Sequence, residues 1–184
     1  MKISVLGAGT WGTALAILLS NNGHEVTLWS KLSREIDALA SDRTNIPNLP
    51  GAVLPEGIRL TTELQDALNE PDIVVFAVAS PYTRETAHAV ASLVKPGQII
   101  VNVGKGIEEA TLFTLTEIIA DEIPGADVAV LSGPSHAEEV SRLIPTTCVV
   151  GAKSLKTATM IQDAFMSETF RVYTSPDVIG IELG

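Results

Sequence analysis

Three glycines near the start of the chain, Gly7, Gly9 and Gly12, constrain its fold more than any other feature. An apolar run at 2–6 precedes them and another at 13–19 follows, which predicts a β-strand that turns directly into an α-helix. In the spacing G-x-G-x-x-G, the first glycine permits a tight turn, the second lets a pyrophosphate approach the backbone, and the third lets the helix lie close on the strand. The N-terminus of such a helix attracts phosphate. The sequence therefore predicts a dinucleotide-binding turn.

Strand and helix patterns alternate along most of the chain. A second strand at 24–29 completes a βαβ unit, whose crossover is expected to be right-handed and parallel. Almost continuous apolar runs at 72–78 and 98–103 are typical of central parallel strands covered on both faces. Further strands are predicted at 58–61, 127–131, 146–150 and 170–173, and further helices at 33–40, 62–69, 112–122 and 155–165. We predict an α/β fold with a doubly wound, mostly parallel sheet of the Rossmann type.

Several helix starts and one loop are predicted from local signals. Thr62 with Gln65, and Ser135 with Glu138, have the spacing of a capping box. Ser80 and Pro81 fit the N-cap and first positions of another helix. The proline-containing stretch 42–57 is predicted to be an irregular surface loop near the cofactor side.

The end of the chain predicts one more helix start. Pro176 and Asp177 begin it, and its apolar positions are Val178, Ile179, Ile181 and Leu183. A helix of barely two turns is marginal unless it packs against something. We therefore assign 1–176 to a nucleotide-binding domain, and 177–184 to the first helix of a second domain that lies outside this chain.

Composition excludes several classes of partner. A formal net charge of −10 opposes binding to nucleic acid or to an anionic membrane surface. No apolar run approaches the roughly 20 residues of a membrane span, and no secretory signal pattern is present. The one cysteine, Cys148, has no partner for an internal disulfide, which fits a reducing cytoplasm, and it is expected to be a small buried side chain. No group of residues has metal-ligand spacing.

The carboxyl ends of the strands are where a doubly wound sheet binds its ligands. At the end of the second strand stand Ser30, Lys31 and, shortly after, Arg34, where a fold selective for NAD has an acid. These residues favour a 2′-phosphate and hence NADP. The alternative is a solvated helix start with ordinary surface cations.

Three other strand ends carry candidate residues. The backbone of 78–81 could pass beside a nicotinamide ribose, or form a simple helix cap. Lys105, between two glycines, can bring its ammonium close to a substrate oxygen or phosphate, or be an exposed lysine in a tight turn. The segment 132–139 fits a capped helix start, which is also an anion site. His136 lies in that segment without an evident carboxylate partner, and His24 and His88 are expected at the surface.

Several segments together resemble the bacterial type of NAD(P)-dependent glycerol-3-phosphate dehydrogenase. The glycine fingerprint is generic, whereas Gly-Thr-Trp-Gly-Thr combined with Lys-Gly-Ile-Glu and Ser-Gly-Pro-Ser is specific. The segments are 7–14, Asn45 with Leu49-Pro50, 105–108, 131–135 with 137–140, and Pro145-Thr146. They span the whole chain.

This resemblance implies reversible hydride transfer between NAD(P)H and dihydroxyacetone phosphate, giving sn-glycerol 3-phosphate for phospholipid synthesis. It implies a helical second domain with substrate-binding and catalytic residues, and it is compatible with a homodimer of the full-length protein. By position, the nucleotide would contact Thr10, Trp11, Lys31, Lys105 and Ala137, in addition to the glycines of the predicted turn, Gly7, Gly9 and Gly12. The substrate would contact Lys105, Gly133 and Ser135. The lysine that exchanges the proton follows a segment like 182–184 in the family, so it is expected beyond Gly184, and this chain alone is expected to bind nucleotide without turnover.

The sequence departs from the family pattern at three places. Ala79 stands where proline is more frequent, Gly104 where serine is, and Asn48 where an aromatic residue is. These differences concern the nicotinamide and loop contacts. Two alternatives stay open: another two-domain dehydrogenase acting on a hydroxy acid or sugar acid, and a non-catalytic nucleotide-binding module.

Overall fold

The first βαβ unit forms as the glycine pattern predicts. The structure is a computed structural model, and it describes residues 1–45 and 49–184. Strand β1 (Lys2–Leu6) passes through the glycine turn into helix α1 (Thr10–Asn21). Strand β2 (Glu25–Trp29) then pairs with β1 in parallel.

The other elements continue the alternation. The remaining strands are β3 (Thr44–Asn45), β4 (Leu49–Val53), β5 (Arg59–Thr61), β6 (Ile73–Phe76), β7 (Ile99–Asn102), β8 (Asp127–Ser132), β9 (Thr146–Gly151) and β10 (Phe170–Ser175). The remaining helices are α2 (Ser33–Asp42), α3 (Leu64–Ala67), α4 (Thr83–Val90), α5 (Leu115–Glu122), α6 (Ala137–Ser141), α7 (Leu155–Phe165) and α8 (Val178–Leu183).

The main sheet is doubly wound and mostly parallel, as predicted. Among the described residues it has eight strands in the order β10-β9-β8-β7-β6-β1-β2-β5. Its neighbours pair in parallel, except that β9 runs antiparallel to β8. From β5 to β8 the order is that of a dinucleotide-binding sheet, with the switch of direction between β1 and β6. A crevice for a ligand is therefore expected beyond the carboxyl ends of these two strands.

Two apolar layers explain the continuous apolar run in β6. Ile73 and Val75 belong to the cluster that includes Leu15 of α1 and Phe165 of α7. Val74 and Phe76 face the other side, where the cluster includes Ala87 of α4 and Ile119 of α5. Since successive residues of a strand point to opposite faces, a strand covered by helices on both sides is apolar throughout.

The glycine turn brings two backbones closer than side chains permit. Gly7 has φ +116°, and a Cβ there would lie 2.6 Å from the carbonyl oxygen of Ala77. A Cβ on Gly12 would lie 1.9 Å from the carbonyl oxygen of Gly7. A Cβ on Gly9, in contrast, would meet no atom within 4 Å. Gly7 and Gly12 are therefore needed for the fold, and Gly9 faces open space.

The described part of the stretch 42–57 is not the irregular loop that the prolines suggested. β3 and β4 form an antiparallel pair, and Leu49 and Leu54 are fully buried. Asn45 donates from Nδ2 to Thr13 Oγ1 at 2.9 Å, which ties β3 to α1. The prediction was wrong because apolar residues among the prolines pack on α1, a tertiary contact that local turn signals do not reveal. Asn48 lies outside the described residues.

Four predicted helix starts were also wrong. Glu63 and His136 precede α3 and α6 without a side-chain cap, so neither predicted capping box forms. Ser80–Tyr82 is a 3₁₀ turn that precedes α4. The predicted start at Leu112 fails because that residue has φ +61°. The capping box of α5 instead joins Thr114 and Glu117, a spacing that was visible in the sequence.

The last helix forms at the predicted place. The Asp177 carboxylate caps α8 by accepting the Gly180 N–H at 2.9 Å. Glu182 is buried, and its carboxylate accepts hydrogen bonds from Asn102 Nδ2 at 3.1 Å and from the Thr116 N–H at 2.9 Å. α8 is therefore anchored to the ends of β7 and α5. The division between 1–176 and 177–184 stays a prediction.

The two glycines of the helix start should differ in how much stability a methyl group costs. Gly12→Ala should lower the free energy of unfolding by about 3 kcal/mol, because its Cβ must displace the backbone of Gly7. Gly9→Ala should cost less than about 1 kcal/mol, the difference between glycine and alanine at an N-cap. Urea unfolding followed by circular dichroism measures both. Equal losses in the two variants would contradict the close-packing argument.

Candidate functional site

The crevice at the switch point holds two adjoining cavities. The larger has a volume of about 540 Å³ and the smaller about 390 Å³. Both are lined by Gly9 and by the backbone segment 77–79 that follows β6, and together we call them the trough. The larger cavity is also lined by Thr10, Trp11, Lys105, Ser135, His136 and Ala137, and the smaller by Gly7, Ser30, Lys31, Glu35 and Glu85.

The start of α1 is built to receive an anion. Gly9 is its N-cap, no side chain caps the helix, and the first turn contains no acid. The first N–H groups of a helix have no partner within the helix, and they carry a partial positive charge. Because a Cβ on Gly9 would point into open space, its absence leaves a cradle beside these groups. The residues present therefore fit a pyrophosphate.

Trp11 joins the glycine turn to the loop after β7. Its indole Nε1 donates to the carbonyl oxygen of Val103 at 3.1 Å. The ring is half-buried and lines the larger cavity. This contact fixes the distance between the helix start and the residues that follow Val103.

Lys105 stands on a closely held backbone. The Asn102 side chain donates to the Gly104 carbonyl at 3.0 Å and accepts the Gly104 N–H at 3.1 Å. Gly106 has φ +140°, and a Cβ there would lie 2.8 Å from Cβ of Ser80. The backbone on both sides of Lys105 is thus fixed, while its side chain is exposed at the larger cavity.

A cluster around Arg84 holds the far end of this loop. Its guanidinium donates two hydrogen bonds of 2.8 Å to the Glu108 carboxylate and one of 2.7 Å each to Asp121 and Glu122. The hydrogen bonds from Arg84, and next the one from Thr111, lower the pKa of Glu108 to about 2. The same contacts raise the pKa of Arg84. Nothing in the local sequence pointed to this cluster, because its members come from three separate segments.

Some residues of the segment after β8 line the trough and others do not. Ser135 and Ala137 line the larger cavity. Gly133 does not, because it is pressed against β9, where a Cβ would lie 2.6 Å from the Thr147 carbonyl oxygen. Its own carbonyl accepts the Ser135 N–H at 2.8 Å. The close approach to β9 is a structural reason for glycine at 133, and a contact of Gly133 with substrate stays a prediction.

The end of β2 is more acidic than the sequence suggested. Ser30 and Lys31 line the smaller cavity, but Arg34 does not. Ser30 Oγ donates to the Glu35 carboxylate at 2.5 Å, and Lys31 Nζ donates to Glu85 Oε1 at 2.5 Å. Glu35 could have been found from the sequence, because it is an acid in the first turn of α2, the helix that follows β2. Glu85 had no such signal, because it lies in α4, 54 residues from Lys31 in the sequence.

The other candidate residues have structural roles. Cys148 is buried, and burial raises the pKa of its thiol. His24 Nε2 lies 2.9 Å from the Ala164 carbonyl oxygen, and His88 Nδ1 lies 3.0 Å from the Glu122 carboxylate. Within 1–45 and 49–184, no three His, Cys, Asp or Glu side chains are grouped to hold a metal ion.

No helix in the described part of the chain has the length and apolar character needed to cross a bilayer.

The fold and the trough are those of a dinucleotide-binding domain of the Rossmann type. Residues 2–158 match the sequence model of the family described as the N-terminus of NAD-dependent glycerol-3-phosphate dehydrogenase. The chain belongs to this family.

Known relatives share this similarity over the whole chain. The chain is 55% identical over 183 residues to glycerol-3-phosphate dehydrogenase (NAD(P)+) of Agathobacter rectalis, covering 100% of this chain and 54% of the relative. It is 50% identical over 186 residues to the enzyme of the same name from Fusobacterium nucleatum, covering 100% and 56%. The crystal structure of glycerol-3-phosphate dehydrogenase from Coxiella burnetii superposes with a TM-score of 0.93 at 31% identity, covering 98% of this chain and 55% of that one. The chain spans about half the length of these relatives.

The ion pairs of Arg84 should make the stability of the fold depend on pH in the acid range. Glu108 has a pKa of about 2 in the fold against an ordinary value of 4.5, so its ion pairs stabilise the fold above pH 4.5 and are lost as the pH falls toward 2. Arg84→Met should lower the melting temperature at pH 7. The difference in melting temperature between this variant and the native chain should shrink as the pH falls from 5 to 3. Calorimetry across this range, with Lys153→Met as the control cation, tests it. A difference independent of pH would contradict the assignment.

Proposed function

We propose that this chain is the nucleotide-binding part of an NAD(P)-dependent sn-glycerol-3-phosphate dehydrogenase, acting on dihydroxyacetone phosphate and glycerol 3-phosphate in phospholipid synthesis. The observation that carries the proposal is the uncapped start of α1, open at Gly9 to a trough that ends at Lys105. The family match and the names of the relatives at 50–55% identity support it.

The two halves of the dinucleotide would occupy the two cavities. Gly7, Gly9 and the N–H groups of Thr10 and Trp11 would hold the pyrophosphate, since they surround the start of α1. The adenosine half would lie beside Lys31 at the end of β2, where this fold places the ribose. The nicotinamide half would lie in the larger cavity, beside the backbone of 77–79 and near Ala137. Gly12 would act indirectly, by letting α1 approach β1.

Lys105 and Ser135 would hold the substrate at the nicotinamide end. The Lys105 ammonium supplies positive charge at the cavity wall, where a phosphate or a carbonyl oxygen can accept a hydrogen bond from it. Its fixed backbone limits the positions that the ammonium can reach. NAD(P)H, when bound, supplies the hydride. We expect the proton-transferring lysine from sequence beyond Gly184. A contact of Gly133 with substrate rests on the family resemblance alone.

The net charge and the cysteine content support proposals about the partners and the location of the protein. A formal net charge of −10 opposes nucleic acid and anionic membrane surfaces as partners. We propose the reducing cytoplasm as its location because its one cysteine is buried and unpaired. A homodimer of the full-length protein stays a prediction.

The cradle at Gly9 can be tested by nucleotide titration. Gly9→Ala should weaken the binding of both NADH and NADPH about tenfold, because its methyl group fills the space beside the helix start. Gly57→Ala is the matched control, since a Cβ at Gly57 also meets no atom within 4 Å. Calorimetric titration of the folded variants measures the affinities. Native-like affinity in Gly9→Ala would reject the proposed pyrophosphate site.

The role of Lys105 can be tested in the full-length enzyme. Lys105→Met should lower kcat/KM for dihydroxyacetone phosphate about 100-fold or more at saturating NADH, the usual effect of removing one electrostatic contact to a reacting group. Lys153→Met, another exposed lysine, should leave the reaction unchanged. Undiminished turnover in Lys105→Met would make Lys105 an ordinary surface residue of a tight turn.

A further inference from the structure

The smaller cavity, which we assign to the adenosine ribose, is lined by more acidic than basic side chains. Among the described residues that line the smaller cavity, Lys31 is the one cation, and Glu35 and Glu85 are the two carboxylates. Lys31 follows β2, Glu35 lies in the first turn of α2, and Glu85 lies in the first turn of α4. The fold thus gathers three charged groups at the place where this type of sheet reads the adenosine ribose.

The two carboxylates have different partners. Glu35 accepts a hydrogen bond from the Ser30 hydroxyl at 2.5 Å. Its carboxylate is therefore held at the end of β2 and does not pair with Lys31. Glu85 accepts the Lys31 ammonium at 2.5 Å. A carboxylate at this place can accept the hydroxyls of the NAD ribose, whereas a cation is needed for the additional phosphate of NADP. Glu85 therefore already pairs with Lys31, the cation that would have to contact a 2′-phosphate.

We propose that Glu85 is a specificity-determining residue that selects against NADP, both by holding Lys31 and by repelling the 2′-phosphate. This inference rests on the nucleotide site proposed above. NAD has a hydroxyl in place of that phosphate, so it needs no displacement of Glu85 from Lys31. The charge balance opposes the preference for NADP that Ser30, Lys31 and Arg34 suggested in the sequence.

The Lys31–Glu85 pair can be changed without loss of the fold. The two side chains are 69% and 61% exposed, and exposed ion pairs contribute little to stability. The buried face of α4 is formed by Thr83, Thr86, Ala87 and Val90, and Glu85 is not part of it. The pair Lys95–Glu70 is equally exposed, at 65% and 72%, and its residues do not line the trough. It provides a matched control.

The test compares nucleotides that differ only in the 2′-phosphate. Glu85→Gln should raise the affinity for NADP+ about fivefold at low salt, since it removes one unit charge a few ångströms from the phosphate. Its affinity for NAD+ should not rise by more than about twofold, and both affinities of Glu70→Gln should stay within about twofold of the native values. The double variant Lys31→Met/Glu85→Gln should lose the gain. Adenosine 2′,5′-bisphosphate and 5′-AMP, titrated in parallel, isolate the contribution of the phosphate.

The outcomes separate this inference from the proposal beneath it. If the native chain binds neither NAD+ nor NADP+, the nucleotide site is wrong and the role of Glu85 falls with it. If both bind but Glu85→Gln changes the two affinities equally, or changes neither, the nucleotide site stands and the role of Glu85 is overturned. A selective gain for NADP+ that disappears at high salt supports the electrostatic origin.

Discussion

The approach of α1 to β1 is the contact on which the rest of the site depends. Gly12 lies against the backbone of Gly7, and Gly7 lies against the backbone of Ala77. A larger residue at either position would move the helix start away from the switch point between β1 and β6. The trough, the indole contact of Trp11 with Val103 and the β3 contact through Asn45 all use the position of α1 that this approach sets.

The site places exposed charged side chains on closely held backbone. Lys105 is exposed, yet Asn102 and Gly106 hold the backbone on both sides of it, and Arg84 holds Glu108 further along. A side chain that must contact a ligand cannot be buried, so the structure fixes its base instead. Lys31 is less constrained, since its partner Glu85 is also exposed. The first arrangement suits a fixed contact and the second suits a contact that exchanges partners.

Much of the fold was predictable because its signals are local. The apolar runs at 72–78 and 98–103 located the central strands, and α7 has the predicted bounds. The helix starts were less predictable, since capping residues also form other hydrogen bonds. Thr61 Oγ1, for example, accepts the Glu63 N–H at 3.0 Å before α3, and the Ser135 hydroxyl donates to the Gly133 carbonyl oxygen at 3.4 Å instead of capping α6.

By itself, the sequence determined the glycine turn, the alternation of strands and helices, and the placing of Lys31, Lys105 and Ser135 at strand ends. These properties depend on side-chain size and on periodicity along a short stretch of chain. Only the tertiary structure decided that β9 runs antiparallel to β8, that Gly133 packs on β9, and that Glu85 meets Lys31. Each is a contact between residues far apart in the chain, and such contacts arise when the helices pack on the sheet.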